Sequence, residues 1–182
     1  MARAASTDFI SNFRFAVVIR GFGPNTTPQL DTLDTNGNVT AGFNSCSAPS
    51  LEQEVATYRE GHYVYTQKYP GVPSVADVTL GRGVALAQST AWEWIQNTVE
   101  AGTEYRADVD IYHIHRDAKP QTASASPMQI NTANTAMLRY SLSNAIPLTY
   151  KVASDMDATS SEISIQELTL SYESLDRVDQ SQ

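Results

Sequence analysis

The residue types that could carry chemistry in this chain are few and widely spaced. Cys46 is the single cysteine, and no histidine lies closer to it in sequence than His62. Nucleophilic catalysis needs a base beside the thiol, and an isolated cysteine more often behaves as a small apolar side chain. The sequence therefore predicts no cysteine catalysis, and one cysteine permits no internal disulfide.

A His-x-His pair, His113 and His115, is the strongest metal-binding pattern in the sequence. On a strand this spacing places both rings on one face, and metal sites use it. Asp108, Asp110 or Asp117 could complete such a ligand set. We favour the alternative, a partly exposed strand end, because no cysteine is nearby and the chain has only one other histidine.

Two carboxylates, Glu52 and Glu54, point to the same face of a predicted strand. Glycosidases place such groups across a cleft, whereas adjacent positions on a surface strand favour a solvated or subunit-facing charge pair.

Two glycine motifs do not match phosphate-binding loops. Gly21-Phe22-Gly23 and Gly81-Arg82-Gly83 lack the spacing and the strand–helix context of such loops. We therefore predict that the protein is not an enzyme and uses no cofactor or metal.

The composition favours a protein that assembles. The 182 residues are 41% hydrophobic and 18% charged, with a net charge of −8. A surface low in charge is easier to bury against partners, and an acidic one repels nucleic acid and anionic membranes. The first residues show no apolar segment of a secretory signal, and no apolar run is long enough to span a membrane. We expect synthesis in the cytoplasm and no membrane binding by the monomer.

Apolar periodicity predicts a mainly β domain. Phe13, Phe15, Val17 and Ile19 alternate along the first strand, and similar segments indicate about eight strands in all. The predicted domain spans residues 12–175. Around it we predict a flexible lead-in over 1–11, loops over 22–40 and 118–135, and a polar tail over 176–182.

One segment, residues 89–102, has helical spacing instead. Trp92, Ile95 and Val99 form a stripe that is expected to lie on the sheet, and we interpret Trp92 and Trp94 as core or interface residues.

The final strand region changes its apolar phase. Ile163 and Ile165 occupy odd positions, whereas Leu168 and the apolar residues after it occupy even ones. A bulge near Gln166-Glu167, or a strand passing there from one packed sheet to another, would explain the change.

Taken in order, several segments resemble the tail-tube proteins of contractile phages and related contractile injection systems. The resemblance covers roughly residues 12–173, and its most specific part is a GF-x-x-CS motif followed by YREG and by PG before VTL-x-RG. The segments that carry it are NFRFAVVIRG, AGFNSCSAPSLEQEVATYREG, YPGVPSVADVTLGRG, AWEWI, LRYSLSNAIPLTYK and EISIQELTLSYE.

The resemblance implies a structural subunit of an inner tube. It implies two packed antiparallel sheets with one flanking helix, and a continuous barrel that forms when subunits assemble into rings, usually of six. The implied partners are further copies of the chain, a sheath protein around the tube, baseplate and terminator proteins at its ends, and cargo or DNA that passes through. The implied location is an assembled contractile particle.

The resemblance also assigns roles to residues. Residues 47–72 would form an extended loop or hairpin that reaches toward the neighbouring ring, and Arg59 could bind a carboxylate across that contact. The expected ring-stacking residues are Glu52, Glu54, Tyr58, Arg59, Glu60, Tyr63 and Tyr65. Asp108 and Asp110 are expected to face the channel if the opposite face of their strand meets the core.

Two other functions fit parts of the sequence. A monomeric β-sandwich could bind carbohydrate through exposed aromatic residues, namely Tyr63, Tyr65, Tyr69 and Trp94. An enzyme could hold a metal at His113 and His115, but the sequence offers little support for it.

Overall fold

The computed structural model describes residues 12–21, 42–84, 90–100, 106–114, 137–156 and 161–179. The predicted lead-in over 1–11 and the predicted loops over 22–40 and 118–135 lie outside the described residues.

Nine strands and one helix occupy the described residues, and all the strand pairs are antiparallel. In chain order they are β1 (Phe15–Gly21), β2 (Ser45–Cys46), β3 (Leu51–Tyr58), β4 (Gln67–Val75), β5 (Val78–Gly83), α1 (Thr90–Glu100), β6 (Ala107–Ile114), β7 (Met137–Lys151), β8 (Ile165–Ser171) and β9 (Ser174–Asp179). The main sheet has the order β1-β6-β7-β8-β5-β2, with β9 also paired to β7, and β3 and β4 form a separate two-stranded sheet.

Strand β7 belongs to both halves of the main sheet. Its first part pairs with β6 on one side and with β9 on the other, and its last part pairs with β8. Near the junction of these parts Asn144 has a positive φ of 56°, and the register with β8 breaks just beyond it, between Pro147 and Thr149. A residue in the left-handed region and a bulge both turn a strand, so β7 passes from one layer to the other.

The prediction of a bulge or crossing near Gln166-Glu167 is therefore wrong. Strand β8 pairs with β5 without a break from Ile165 to Leu170, and the irregularity lies in β7. The apparent phase change has two causes: Ile163 precedes β8 and is exposed, and the first inward position of β8 holds the polar residue Gln166.

The two layers enclose one apolar core. Val17, Ile19 and Val109 contribute from the layer of β1 and β6, and Leu80 and Leu168 contribute from the layer of β5 and β8. Strand alternation directs every second side chain inward, so both layers supply a continuous apolar surface. The mainly β fold with two packed antiparallel sheets and a flanking helix is confirmed.

Helix α1 contacts the core through Trp94, one of the two tryptophans interpreted from the sequence as core or interface residues. Trp94 is 4% exposed and belongs to the core, whereas Val99 is 75% exposed. The expectation that the stripe ending at Val99 lies on the sheet is wrong at that residue, because the larger Trp94 occupies the buried side. The side chain of Trp92 lies outside the described residues. No described helix has the length and apolar character needed to cross a membrane.

The C-terminal residues form more structure than expected. Ser174–Asp179 is strand β9, which overlaps the predicted polar tail and pairs with β7. Backbone hydrogen bonds and the partly buried Leu175 hold it. An edge strand can be held by backbone pairing with few apolar residues. The polar sequence of β9 therefore gave no strand pattern, and this segment was predicted as a tail.

Candidate interaction surface

Strands β3 and β4 form a hairpin that pairs with none of the described strands of the main sheet. In the turn, the Tyr63 N–H donates to the Glu60 carbonyl at 3.0 Å. Arg59 Nε donates to the Tyr63 carbonyl at 3.3 Å, which closes the turn from the other side. The segment expected to be an extended loop or hairpin is thus a hairpin, and its contact with a neighbouring ring stays a prediction.

A bulge in β4 sets the register of the hairpin. Gln53 pairs with Pro73 and Val55 pairs with Pro70, so two residues of β4 lie opposite the single residue Glu54. One of them is Gly71, where an added Cβ would lie 2.9 Å from the Glu54 carbonyl oxygen. Glycine permits this close approach, and β3 keeps regular alternation along its length.

The alternation gives the hairpin two chemically different faces. One, which we call the apolar face, carries Leu51 and Val55, whose cross-strand partners are Val75 and Pro70. Leu51 is 68% exposed and Val55 is 56% exposed. A two-stranded hairpin with so much exposed apolar surface is marginal in water, and exposed apolar patches mark interaction sites.

The opposite face, which we call the acidic face, carries Glu52, Glu54 and Tyr58 on β3. Tyr58 pairs with Gln67 in β4, and the Tyr69 hydroxyl donates to Gln67 Oε1 at 2.6 Å. Tyrosines beside carboxylates provide both contact area and polar groups, as interface centres do.

The predicted ring-stacking residues therefore lie along one element and are all exposed. Glu52, Glu54 and Tyr58 share the acidic face, and Arg59, Glu60, Tyr63 and Tyr65 follow in the turn. His62 lies near Glu60, with 3.9 Å between Nε2 and Oε2. Arg59 was expected to bind a carboxylate across a contact, and in the single chain its Nε binds the Tyr63 carbonyl.

A second polar cluster lies on the main sheet and was not found from the sequence. Asp110 on β6 is buried between Arg139 on β7 and Arg20 on β1. Arg139 Nε and Nη2 each lie 2.9 Å from Asp110 Oδ1, and Arg20 Nη2 lies 3.0 Å from Oδ2. The Arg20 contact is an ion pair without hydrogen-bond geometry, since Oδ2 accepts no hydrogen bond in the described residues.

Tyr112 extends this cluster, which we call the arginine cluster. The Arg139 guanidinium carbon lies 6.0 Å from the centre of the Tyr112 ring, within the range of cation–π attraction. Burial raises the pKa of the Tyr112 hydroxyl above its ordinary value, and the charge of Asp110 adds to the rise. The signal that could have found the cluster is strand register, which places Arg20, Asp110 and Arg139 on one face of three adjacent strands.

The two aspartates expected to face a channel have different surroundings. The Asp110 carboxylate is buried in the chain, so it contributes no negative charge to an exposed wall. Asp108 Oδ1 accepts a hydrogen bond from the Asn144 backbone N–H at 3.2 Å. That this strand face lines a bore stays a prediction.

Glu173 supports the turn in β7. Asn144 Nδ2 donates to Glu173 Oε2 at 2.8 Å, and Arg106 forms an ion pair with the same carboxylate. The hydrogen bonds from Asn144 and Arg106 lower the pKa of the Glu173 carboxyl.

The remaining sequence candidates do not assemble a catalytic site in the described residues. Burial raises the pKa of the Cys46 thiol to about 11, which disfavours the reactive thiolate. His113 is half-buried and His115 lies outside the described residues. No three His, Cys, Asp or Glu side chains in the described ranges are grouped to hold a metal ion.

The carbohydrate-binding surface suggested by the sequence included Trp94 as an exposed aromatic residue. Trp94 is buried, so that prediction is wrong for this residue.

The fold defines a mainly β protein with an exposed hairpin, and the family is shown by sequence. Residues 11–176 match the family described as T4-like virus tail tube protein gp19. The chain belongs to this family of structural tube proteins. No curated protein matches it at a significant level.

Solved structures of contractile injection systems share the fold. A chain of the anti-feeding prophage baseplate, from a six-fold symmetrised structure, is similar with a TM-score of 0.68 and 20% identity, and the match covers 98% of each chain. A chain of the PVC sheath-tube complex in the extended state has a TM-score of 0.67 and 22% identity, covering 98% of this chain and 99% of that one. A chain of the anti-feeding prophage cap has a TM-score of 0.64 and 23% identity, covering 98% and 96%.

Proposed function

We propose that this chain is the subunit of an inner tube in a contractile injection system or phage tail. Copies assemble into rings of six, and the rings stack into a hollow conduit. The observation that carries the proposal is the match of residues 11–176 to the tail tube family. The exposed hairpin supports it, because its apolar face needs a protein partner to leave water.

The tube acts as a passive conduit in this proposal. A surrounding sheath shortens and drives it through a target envelope, so the chain itself needs no catalytic group. A sheath-tube complex, a baseplate and a sheath/tube terminator are the assemblies that contain its structural neighbours. We propose corresponding partners for this chain, cargo or DNA that passes without specific binding, and residence in an assembled particle after cytoplasmic synthesis.

Six-fold symmetry is the ring size that we propose. The baseplate structure with a similar chain is symmetrised six-fold. In such a ring, pairing between subunits at β1 and β2, which end the described strand order, would complete a continuous barrel.

Purified, tag-free protein tests the proposal directly. Light scattering and negative-stain microscopy are expected to show rings or hollow filaments. A folded monomer at every concentration, which is also missing from isolated contractile particles, would contradict it.

The hairpin has its own test. Leu51→Ser together with Val55→Ser removes most of the apolar face, and we expect shorter tubes or none because the lost burial no longer supports assembly. Met156→Ser is the matched control, since that side chain is exposed outside the hairpin. Equal tube lengths for both variants would show that the apolar face does not mediate assembly.

A further inference from the structure

The layer of β5 and β8 has an outward face made of small polar side chains. The Thr79 and Thr169 hydroxyls lie 3.4 Å apart on this side, and alternation turns their apolar neighbours toward the core. Strand register extends this side over β2 and the last part of β7. The residues in its two middle rows, which we call the hydroxyl face, are Ser45, Thr79, Gly81, Thr149, Lys151, Glu167 and Thr169.

The two charges on the hydroxyl face have opposite signs. Lys151 and Glu167 are cross-strand partners, and the remaining outward positions described in this layer are uncharged. Arg82 alternates to the other side of β5, while Asp77 and Glu173 lie beyond the ends of β5 and β8. The face is therefore neutral, although the whole chain carries a net charge of −8.

The hydroxyl face lacks the residues that dominate protein contacts. The described outward positions of this layer hold no aromatic side chain and no arginine, the types enriched at interface centres. Its apolar side chains, Ile146 and Ile165, lie at the two ends of β8. At Gly81 an added Cβ would overlap the Ser45 hydroxyl, so glycine keeps the surface flat. Such a surface gives a passing molecule little to bind.

The outward side of the other layer is already covered within one chain. Ala16, Val18, Asp110 and Tyr112 share one side of β1 and β6 and do not belong to the apolar core. Each of them is 7% exposed or less. The wall of a bore has to be open to solvent, as the exposed Thr149, Lys151 and Glu167 are, so the hydroxyl face fits that role better.

The hairpin continues the layer that carries the hydroxyl face. The Ser47 N–H donates to the Thr79 carbonyl at 2.9 Å, and the Ala76 N–H donates to the Ser50 carbonyl at 3.1 Å. The next cross-strand pair is the first of the hairpin, between β3 and β4. A hairpin that reaches the neighbouring ring therefore extends this layer along the tube.

We propose that the hydroxyl face lines the bore of the tube and that its balanced charges let cargo of either sign pass. The hydroxyl groups remain hydrogen-bonded to water, and no net field attracts or repels a charged molecule. This assignment rests on the proposed tube function and adds its inner wall. It replaces the prediction that Asp108 and Asp110 face the channel.

A heavy-atom label tests the position of the face. Thr169→Cys places a thiol at its centre, and tubes of this variant are treated with ethylmercury and imaged by cryo-electron microscopy. Unmodified tubes treated in the same way locate any mercury bound to Cys46. The additional density is expected on the bore side of the wall. Density on the outer surface, or a thiol that does not react in tubes, overturns the assignment.

The outcomes separate the wall from the tube function. Thr149→Cys is a second variant on the same face. If neither variant forms tubes while unmodified protein does, the face is a contact between copies, which overturns the wall and leaves the tube function in place. If unmodified protein forms no tubes, both proposals fail.

The charge balance has a separate test. The rates at which the introduced thiol reacts with a cationic and an anionic methanethiosulfonate are measured by mass spectrometry. In Thr169→Cys tubes their ratio is expected to stay within about threefold of the ratio for the unassembled variant, because the wall is neutral. Adding Lys151→Gln leaves Glu167 unbalanced and is expected to favour the cationic reagent by about tenfold or more.

The matched variant, Glu167→Gln, is expected to shift the ratio toward the anionic reagent, because it leaves Lys151 unbalanced in every copy. Equal ratios in tubes of all three variants would show that these two side chains do not face the bore. A tenfold bias already present in tubes with Thr169→Cys alone would overturn the neutral wall.

Discussion

At the scale of single residues, burial separates two aspartates that look alike in sequence. Asp108 and Asp110 occupy the same face of β6, yet only Asp110 is enclosed by two arginines. Its carboxylate connects β1, β6 and β7 through side chains. A buried charge is stable only while its partners remain, so this residue is expected to be sensitive to substitution.

Asp110→Asn tests that expectation. Removing the charge leaves Arg20 and Arg139, which are partly exposed, without their counter-ion and weakens the charge-assisted hydrogen bonds, so we expect the free energy of unfolding to fall by about 2–3 kcal/mol. Asp108→Asn is the matched control, and we expect it to cost about 1 kcal/mol or less, because the amide oxygen of the new side chain can still accept the hydrogen bond from the Asn144 N–H. Urea denaturation of the unassembled chain measures both. Equal losses would mean that the arginine cluster contributes little to stability.

At the scale of elements, helix α1 shows how a stripe can be chosen wrongly. Helical spacing is satisfied by more than one set of apolar residues, and spacing alone does not say which set meets the sheet. Among the described side chains of α1, Trp94 belongs to the core and Val99 is exposed. The Trp94 carbonyl also accepts a hydrogen bond from Thr98 Oγ1 at 2.9 Å.

Trp94→Ala is therefore expected to destabilise the fold by about 3–5 kcal/mol, because it leaves a cavity beneath the helix. Val99→Ala, in the same helix, is expected to change stability by about 0.5 kcal/mol or less, since that side chain is exposed. Thermal or chemical unfolding measures the loss of stability in each of the two variants. A larger effect at Val99 would contradict the packing described for α1.

At the scale of the whole molecule, strand β7 links the two layers. Its turn depends on the positive φ of Asn144, on the Asp108 carboxylate that accepts the Asn144 N–H, and on Glu173. Because β7 belongs to both layers, a substitution that strains this turn is expected to destabilise both layers.

Asn144→Val is expected to lower the protection of backbone amides from hydrogen exchange in β1 and β6 and, to a similar degree, in β5 and β8. A β-branched residue is strained at positive φ. Asn144→Gly is the control, because it also loses the side-chain contact with Glu173 but accepts the backbone conformation. Loss of protection in only one layer would show that the layers open independently.

The sequence by itself determined the class of the protein. Alternating apolar residues specify strands because neighbouring side chains on a strand point to opposite faces, and one segment has helical spacing. The ordered motifs from NFRFAVVIRG to EISIQELTLSYE indicated the tube family, and the YREG segment indicated the hairpin as its exposed element. The apolar periodicity and the motifs each involve residues close together in the chain, so they can be recognised without knowing the tertiary structure.

Only the tertiary structure decided which residues meet. The crossing in β7, the strand β9, the exposure of Val99 and the enclosure of Asp110 by Arg20 and Arg139 all depend on strand register or helix orientation. Register joins residues far apart in the chain, and backbone pairing can hold a polar strand without apolar periodicity. Local patterns therefore specified the elements, while their partners were determined by long-range packing.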